Sequence, residues 1–303
     1  MEPADYPSLY GAADEAAGRA KRRYYRLLAA QLVIFVIISL TGTLSSPLTE
    51  QGKFFSRVSA FLLGVSLILA WVNRAQHYDR AWYECRAVSE AARTLTWRYM
   101  MQAQPFPPDL DLIGAKHNFL AELKNIRKAY SDSESTLAEV ALSSTVFTPF
   151  MDETRQSDWQ KRRDRYLKER LEPERQWYAR NARASSAGSQ KWMWFIILLQ
   201  VGAFFFAVVP PNSQVSVFNP VSLFMTLAST ITAWSQAKRQ DELATSYLSA
   251  AQSLAEFQEL ATTEARDPAS FANFVANVER SLARERATWL IQRSLPADLS
   301  VDS

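Results

Sequence analysis

From Trp192 to Ala237 the chain carries no charged residue for 46 positions, although 21% of its 303 residues are charged. A helix this apolar on every side has no face to offer water, so the run predicts two membrane-spanning helices joined by a turn. Trp192 to Val209 is apolar except for Gln200 and Gly202, Pro210 and Pro211 break the helix, and Val215 to Trp234 returns. The first arm covers about 27 Å, close to the hydrocarbon thickness of a bilayer. A buried hairpin in a soluble core is the alternative, but such helices rarely stay apolar all round beyond about fourteen residues.

The first half repeats the pattern. Leu27 to Thr49 is uncharged, a turn with Glu50, Lys53 and Arg57 follows, and Val58 to Asn73 is uncharged again. Phe54 and Phe55 extend the short return arm if Arg57 snorkels to the headgroups. The mean hydropathy is only slightly negative because some 80 span residues are averaged with highly charged ones.

Lysine and arginine set the orientation. Lys21, Arg22, Arg23 and Arg26 precede the first span, Arg74 and Arg80 follow the second, Lys191 precedes the third, and Lys238 and Arg239 follow the fourth. The positive-inside rule places all four flanks, and with them both termini, in the cytosol. Trp71, Trp192, Trp194 and Trp234 stand beside these basic residues as interface anchors. The expected fold is therefore an all-α membrane protein, with four transmembrane helices in two like-oriented hairpins and a cytosolic domain of long amphipathic helices.

Beyond each hairpin the apolar period changes to three and four. Trp82, Cys85, Val88, Ala92, Leu95 and Tyr99 form one seam, and Leu243, Tyr247, Ala250, Leu254, Phe257 and Ala261 another. Each return span is thus expected to run on into the cytosol as one long helix. Ala70-Trp71 and Ala233-Trp234 close the two return spans 163 residues apart, a sign of duplication. Leu112 to Tyr130 reads as a helix, Gln104 to Pro108 and Ser131 to Ser135 as loops, and Ser143 to Ser157 has no clear pattern. The charge-dense stretch Trp159 to Ala184 reads as a solvated, two-part helix with Pro173 at its break. Asp267-Pro268 caps a last helix whose apolar face is Phe271, Phe274, Val278, Leu282 and Trp289.

Catalytic signals are absent from the sequence. One cysteine and two histidines, His77 and His117, leave little for metal binding or acid–base chemistry, and phosphate-loop, dinucleotide, zinc-protease and nucleophile-elbow motifs do not occur. No catalytic residue, cofactor site or metal ligand is expected. A net charge of +3 with interleaved signs argues against nucleic acid as a partner.

The fourth span carries the most informative polar pattern. Ser222, Thr226 and Ser229 recur at four and three residues with Thr230 beside them, a small hydroxyl-bearing face that could line water in an oligomer. The same hydroxyls could instead bond their own helix, as small residues such as Ala60 and Gly64 would serve close helix packing. Gln31 and Gln200 suit interhelical hydrogen bonds.

Three stretches carry a family resemblance: Ala91 to Phe106 (AARTLTWRYMMQAQPF), Tyr166 through Arg170 to Gln176-Trp177-Tyr178, and Phe271 to Trp289 (FANFVANVERSLARERATW). They resemble the SLATT group, two-transmembrane effector domains associated with SMODS and SLOG proteins, with one subtype in each half. The tandem units would follow an N-terminal cytosolic segment, 1–26. The first spans 27–158, with membrane segments near 27–48 and 54–73. The second spans 159–293, with segments near 192–209 and 215–236, before a tail, 294–303. The resemblance implies a multi-pass protein of the bacterial inner membrane, an oligomeric pore-forming effector of a defence system driven by nucleotide signals. Its partners would be the lipid bilayer, further copies of itself, and a nucleotide-signalling enzyme or sensor protein; it brings no enzymatic residues. The alternative is a non-conducting scaffold that recruits cytosolic partners through its helices.

Overall fold

The computed structural model describes residues 1–45, 49–129, 145–208 and 220–294, with side-chain surroundings through Arg284. Among these the chain is helical, with no strand. Among the described residues ten α-helices follow a short turn at Pro3–Asp5: α1 Ser8–Thr43, α2 Glu50–Gln76, α3 Tyr78–Met100, α4 Leu112–Ala129 and α5 Pro149–Gln156, then α6 Trp159–Tyr166, α7 Glu172–Val208, α8 Pro220–Lys238, α9 Gln240–Glu264 and α10 Pro268–Ser294. The chain divides into two compact units, one of Arg22–His77 with Arg180–Ser246 and one of Met1–Lys21, Tyr78–Ala179 and Tyr247–Ser303.

The hairpin unit holds the apolar helices. Three helical stretches, Ser8–Thr43, Glu50–Met100 and Trp159–Val208, contain a segment long and apolar enough to cross a membrane, and only 6% of each such segment is buried. Phe61 and Trp71 on α2 are each 70% exposed and Leu198 on α7 is 67% exposed. Large side chains turned outward over whole helices are intolerable in water and comfortable in lipid, which disfavours the soluble-hairpin alternative. Six of the nineteen residues of α8 carry hydroxyls. The turn expected at Pro210-Pro211 and the expected start of the fourth span at Val215 lie outside the described residues, as does the loop expected at Ser131 to Ser135.

Small residues join the helices of this unit. Thr49 caps α2 by accepting from the Gly52 N–H at 3.0 Å. The Thr41 and Ser59 hydroxyls share a hydrogen bond of 2.7 Å between α1 and α2, and Gly52 and Ser66, seven residues to either side of Ser59, are buried. In the second hairpin a β-carbon on Gly202 would stand 2.9 Å from Cε1 of Phe224, so a side chain at 202 would have to displace that ring where α7 meets α8. The Tyr25 and Trp234 rings meet edge-on at 5.7 Å, joining α1 to α8.

Each return helix ends sooner than the expected continuous rod. His77 (φ 44°) separates α2 from α3, and Arg239 (φ 48°) separates α8 from α9, each a single residue in left-handed backbone. Outside glycine this conformation costs about 1–3 kcal/mol, so the apolar period survives the joint while the helix does not. The Arg239 N–H donates to the carbonyls of Ser235 (3.0 Å) and Gln236 (3.1 Å), closing α8.

In the second unit α3 is the central element. All six residues of its expected seam, Trp82 to Tyr99, are buried. Gln102 (φ 55°) ends it, and Ala103 N–H bonds back to Arg98 carbonyl at 2.9 Å. Tyr99, Phe106, Phe119 and Phe147 then pack ring against ring at 5.2 to 5.9 Å. The stretch that lacked a sequence pattern forms α5, where Thr148 caps and Pro149 opens the first turn. Buried Arg155 of α5 donates to the carbonyls of Tyr99, Phe106 and Leu110, fastening the loop after α3.

Between α6 and α7 the helix widens into a π-turn over Leu167–Leu171. Pro173 explains the position: it has no N–H for the Glu169 carbonyl four residues back, and its ring would press on that carbonyl in a regular helix. At the other end Asp267 accepts from the Ala269 and Ser270 N–H groups at 3.0 Å each, and Phe271, Phe274, Val278 and Leu282 of α10 are buried as the pattern required. The Trp289 side chain lies outside the described residues.

Replacing Gly202 by valine is expected to lower the stability of the detergent-solubilised protein by about 1–3 kcal/mol through overpacking. Adding Phe224→Ala should recover part of the loss, since the two sites share one contact. Thermal unfolding followed by circular dichroism measures both.

Candidate functional site

The residues expected to line a pore occupy one side of α8. Ser222 and Ser229 are exposed, and Thr226 and Thr230 are partly so, whereas Ala228 is buried. The Thr226 hydroxyl donates to the Ser222 carbonyl at 2.9 Å, and Thr232 does the same to Ala228. Those donors are used within the helix while the oxygens keep lone pairs to offer outward. The face can therefore accept hydrogen bonds from water or from a neighbouring helix.

The remaining expected residues are scattered. Trp71 and Trp194 project outward, at 70% and 65% exposure, and Trp192 lies 6.2 Å from the Phe195 ring. The Lys238 ammonium sits 4.8 Å over the Trp234 ring. Ala60 is exposed, and among the described residues a β-carbon on Gly64 would meet nothing within 4 Å. The close approaches belong to Ser59 and Gly202 instead.

A second cluster is built from charge in the core of the other unit. Arg170, in the π-turn, and Glu279, on α10, are both completely buried. Arg170 Nε and Nη2 donate to the two carboxylate oxygens of Glu279, each at 2.9 Å, a bidentate fork. Glu279 also accepts from the Tyr166 hydroxyl at 3.0 Å and from Thr94 of α3 at 2.9 Å. Arg170 Nη1 reaches Glu174 at 3.2 Å, and Glu174 is paired with Arg93 at 3.0 Å. Arg86 extends the chain of charges through Glu90 (2.5 Å) to Asp14 (2.7 Å) on α1.

Burial disfavours charge on Arg170, but the Glu279 and Glu174 carboxylates outweigh it and hold the guanidinium well above its ordinary range. Burial and the Glu279 charge push the Tyr166 hydroxyl well up, so it stays a proton donor. A neutral donor and a permanent cation around one carboxylate form a lock, not an acid–base pair with matched proton affinities.

Two family models match the chain in tandem: SMODS and SLOG-associating 2TM effector domain 3 over residues 7–163, and SMODS and SLOG-associating 2TM effector domain 1 over residues 166–289. The chain belongs to the SLATT family. SLATT effector domains are linked to bacterial defence systems, are membrane-associated and are not known as enzymes. No curated protein and no solved structure matches the chain. The lock joins the two SLATT matches, since Thr94 and Arg93 lie in the first and Tyr166, Arg170, Glu174 and Glu279 in the second.

Sequence reading of this SLATT chain located Tyr166, Arg170 and Glu279 inside the family-like stretches but took the helix around Arg170 as solvated. The structure corrects that: Arg162, Arg170 and Glu174 are buried. Dense alternating charge resembles a solvent face because spacing alone does not reveal a partner 109 residues away. Among the described residues no group of three His, Cys, Asp or Glu side chains could hold a metal ion. His117 is exposed on α4 and His77 forms the joint after α2.

Changing Glu279 to Gln leaves a buried guanidinium with half of its compensation and is expected to cost about 3–5 kcal/mol of stability. The apolar pair Arg170→Met with Glu279→Leu should lose much less, and chemical unfolding distinguishes the two. Buried Cys85 supplies a pH test, because burial pushes its thiol from 9.0 up to about 11. The unfolded chain releases that proton first, so the contribution is complete below pH 9 and is lost as pH rises through about 11. Unfolding midpoints of the wild type and of Cys85→Ala should diverge across that window and run parallel below it.

Proposed function

We propose that the chain is an oligomeric effector of the bacterial inner membrane that opens a pore or disrupts the bilayer. It crosses four times, α8 being the fourth span, with both termini in the cytoplasm, and acts in a defence system triggered by a nucleotide signal or a partner protein. The observation that carries this reading is the outward hydroxyl face of α8, in a helix whose neighbours turn apolar side chains outward. Lipid offers serine and threonine no hydrogen bonds, so an exposed hydroxyl row in a span calls for water or another polar helix. The tandem match to two effector-domain models supports the same reading. Four spans of one chain enclose too little polar surface for a water path, so several copies would surround it. The two SLATT-like units, 27–158 and 159–293, would each contribute one hairpin.

A second reading rests on a specific contact. The Thr226 hydroxyl is already spent on the Ser222 carbonyl, as a packing residue's would be. On that reading the protein is a non-conducting scaffold whose cytosolic helices recruit a partner.

Purified protein in dye-loaded vesicles separates the two. Conduction predicts leakage that the triple change Ser222→Leu, Thr226→Leu and Ser229→Leu abolishes while the protein stays folded, with loss of membrane potential before loss of viability in expressing cells. Leakage that survives the triple change removes the α8 face from the path. No leakage with any nucleotide or partner supports the scaffold.

A further inference from the structure

Helices α4 and α9 carry opposite charge, and each leaves one stripe uncovered. α4 has four basic residues and one acid, whereas α9 has five acids and neither lysine nor arginine. On α4, Ile113, His117, Leu120, Lys124 and Arg127 follow at intervals of four, three, four and three, which places them on one face. All five are exposed, Ile113 at 70%. On α9, Leu248, Gln252, Glu256 and Glu259 follow at four, four and three, and all are exposed, with Leu260 at their edge. Among the described residues Lys124, Arg127, Glu256 and Glu259 form no ion pair within the chain.

We propose that α4 of one copy docks alongside α9 of a second copy, the two helices running parallel. Ile113 to Lys124 and Leu248 to Glu259 are both eleven residues, about 17 Å along a helix. Setting Ile113 beside Leu248 therefore brings Lys124 beside Glu259, with Glu256 about 4.5 Å before Lys124 and Arg127 about 4.5 Å beyond Glu259, so that the charges also meet diagonally. The apolar residues supply contact area and the opposed charges set register and direction, because the antiparallel arrangement would put leucine against lysine. The contact is heterologous: every copy offers a basic stripe to one neighbour and an acidic stripe to the other, which yields a ring where the rotation between copies closes and an open array where it does not. This inference rests on the oligomeric part of the proposed function and not on conduction.

Cysteine cross-linking of the full chain in detergent tests it, with buried Cys85 left in place as the background. Ile113→Cys combined with Leu248→Cys should give a ladder of covalent oligomers on oxidation, and a mixture of the two single variants should stop at dimers. Adding Lys124→Glu and Arg127→Glu should cut the yield roughly tenfold, and adding Glu256→Lys and Glu259→Lys on top should restore it. High salt should weaken the wild-type ladder. Self-linking of either single variant would mean a symmetric contact, and a link within one chain would mean an internal one; both overturn the proposal. So does a ladder indifferent to charge reversal, or a correctly folded double-cysteine variant that forms none. Restoration by the second reversal excludes anionic lipid as the partner of α4, and vesicle leakage without a ladder would sink this contact while leaving the pore standing.

Discussion

A guanidinium and a carboxylate buried together must replace two hydration shells at once, and the Arg170–Glu279 pair does so with an unusually complete set of partners. Desolvating each ion costs several kcal/mol, which Coulomb attraction offsets only when geometry is bidentate and the spare lone pairs are filled. Here the fork is bidentate, and Tyr166 and Thr94 fill the lone pairs that remain on Glu279. Satisfying those atoms dictates where α3, the π-turn and α10 lie. Pro173 contributes by forcing the wide turn in which Arg170 sits, so a local backbone rule and a buried charge point to the same place. The pair therefore says more about uniqueness of packing than about net stability.

The duplication extends from sequence into backbone. Trp71 and Trp234 stand 163 residues apart, and the left-handed joints at His77 and Arg239 stand 162 apart. Two unrelated non-glycine residues would not both adopt a costly conformation at matched positions by local preference, since neither histidine nor arginine needs it. At both joints an apolar helix ends and an amphipathic one begins, and the joint lets each choose its own face. After the joints the copies diverge. α3 buries thirteen residues among its neighbours and α9 only four, so one copy became a core and the other kept a surface.

Features governed by neighbours in sequence were legible in it. The charge-free run, the basic and aromatic flanks, the cap at Asp267-Pro268 and the seam on α3 all follow from spacing within a turn or two. Residues whose meaning comes from distant partners were not. Arg170 reads as one charge among many until Glu279 is beside it, and Gly202 reads as an interruption until Phe224 closes over it. Ala60 and Gly64 show the converse, since small residues permit close approach without requiring it. Ser59, with Gly52 and Ser66 buried seven residues to either side on the same helix, marks the contact with α1. The joints were missed because the apolar period runs through them, and a single left-handed residue leaves no compositional trace when it is not glycine.

The α8 face gains its meaning from contrast with the other spans. A hydroxyl that donates to its own helix, as Thr226 does, avoids an unsatisfied proton but still presents an oxygen. On a lipid-facing helix selection for apolarity would replace it by valine or alanine at no cost to the backbone. α8 instead carries six hydroxyl residues in nineteen. In a membrane the polar side of such a helix is satisfied where it meets water or other polar helices. On the proposed reading those neighbours are further copies of the chain. On the proposed reading, a signal that controls assembly would therefore control the helix that carries the hydroxyls.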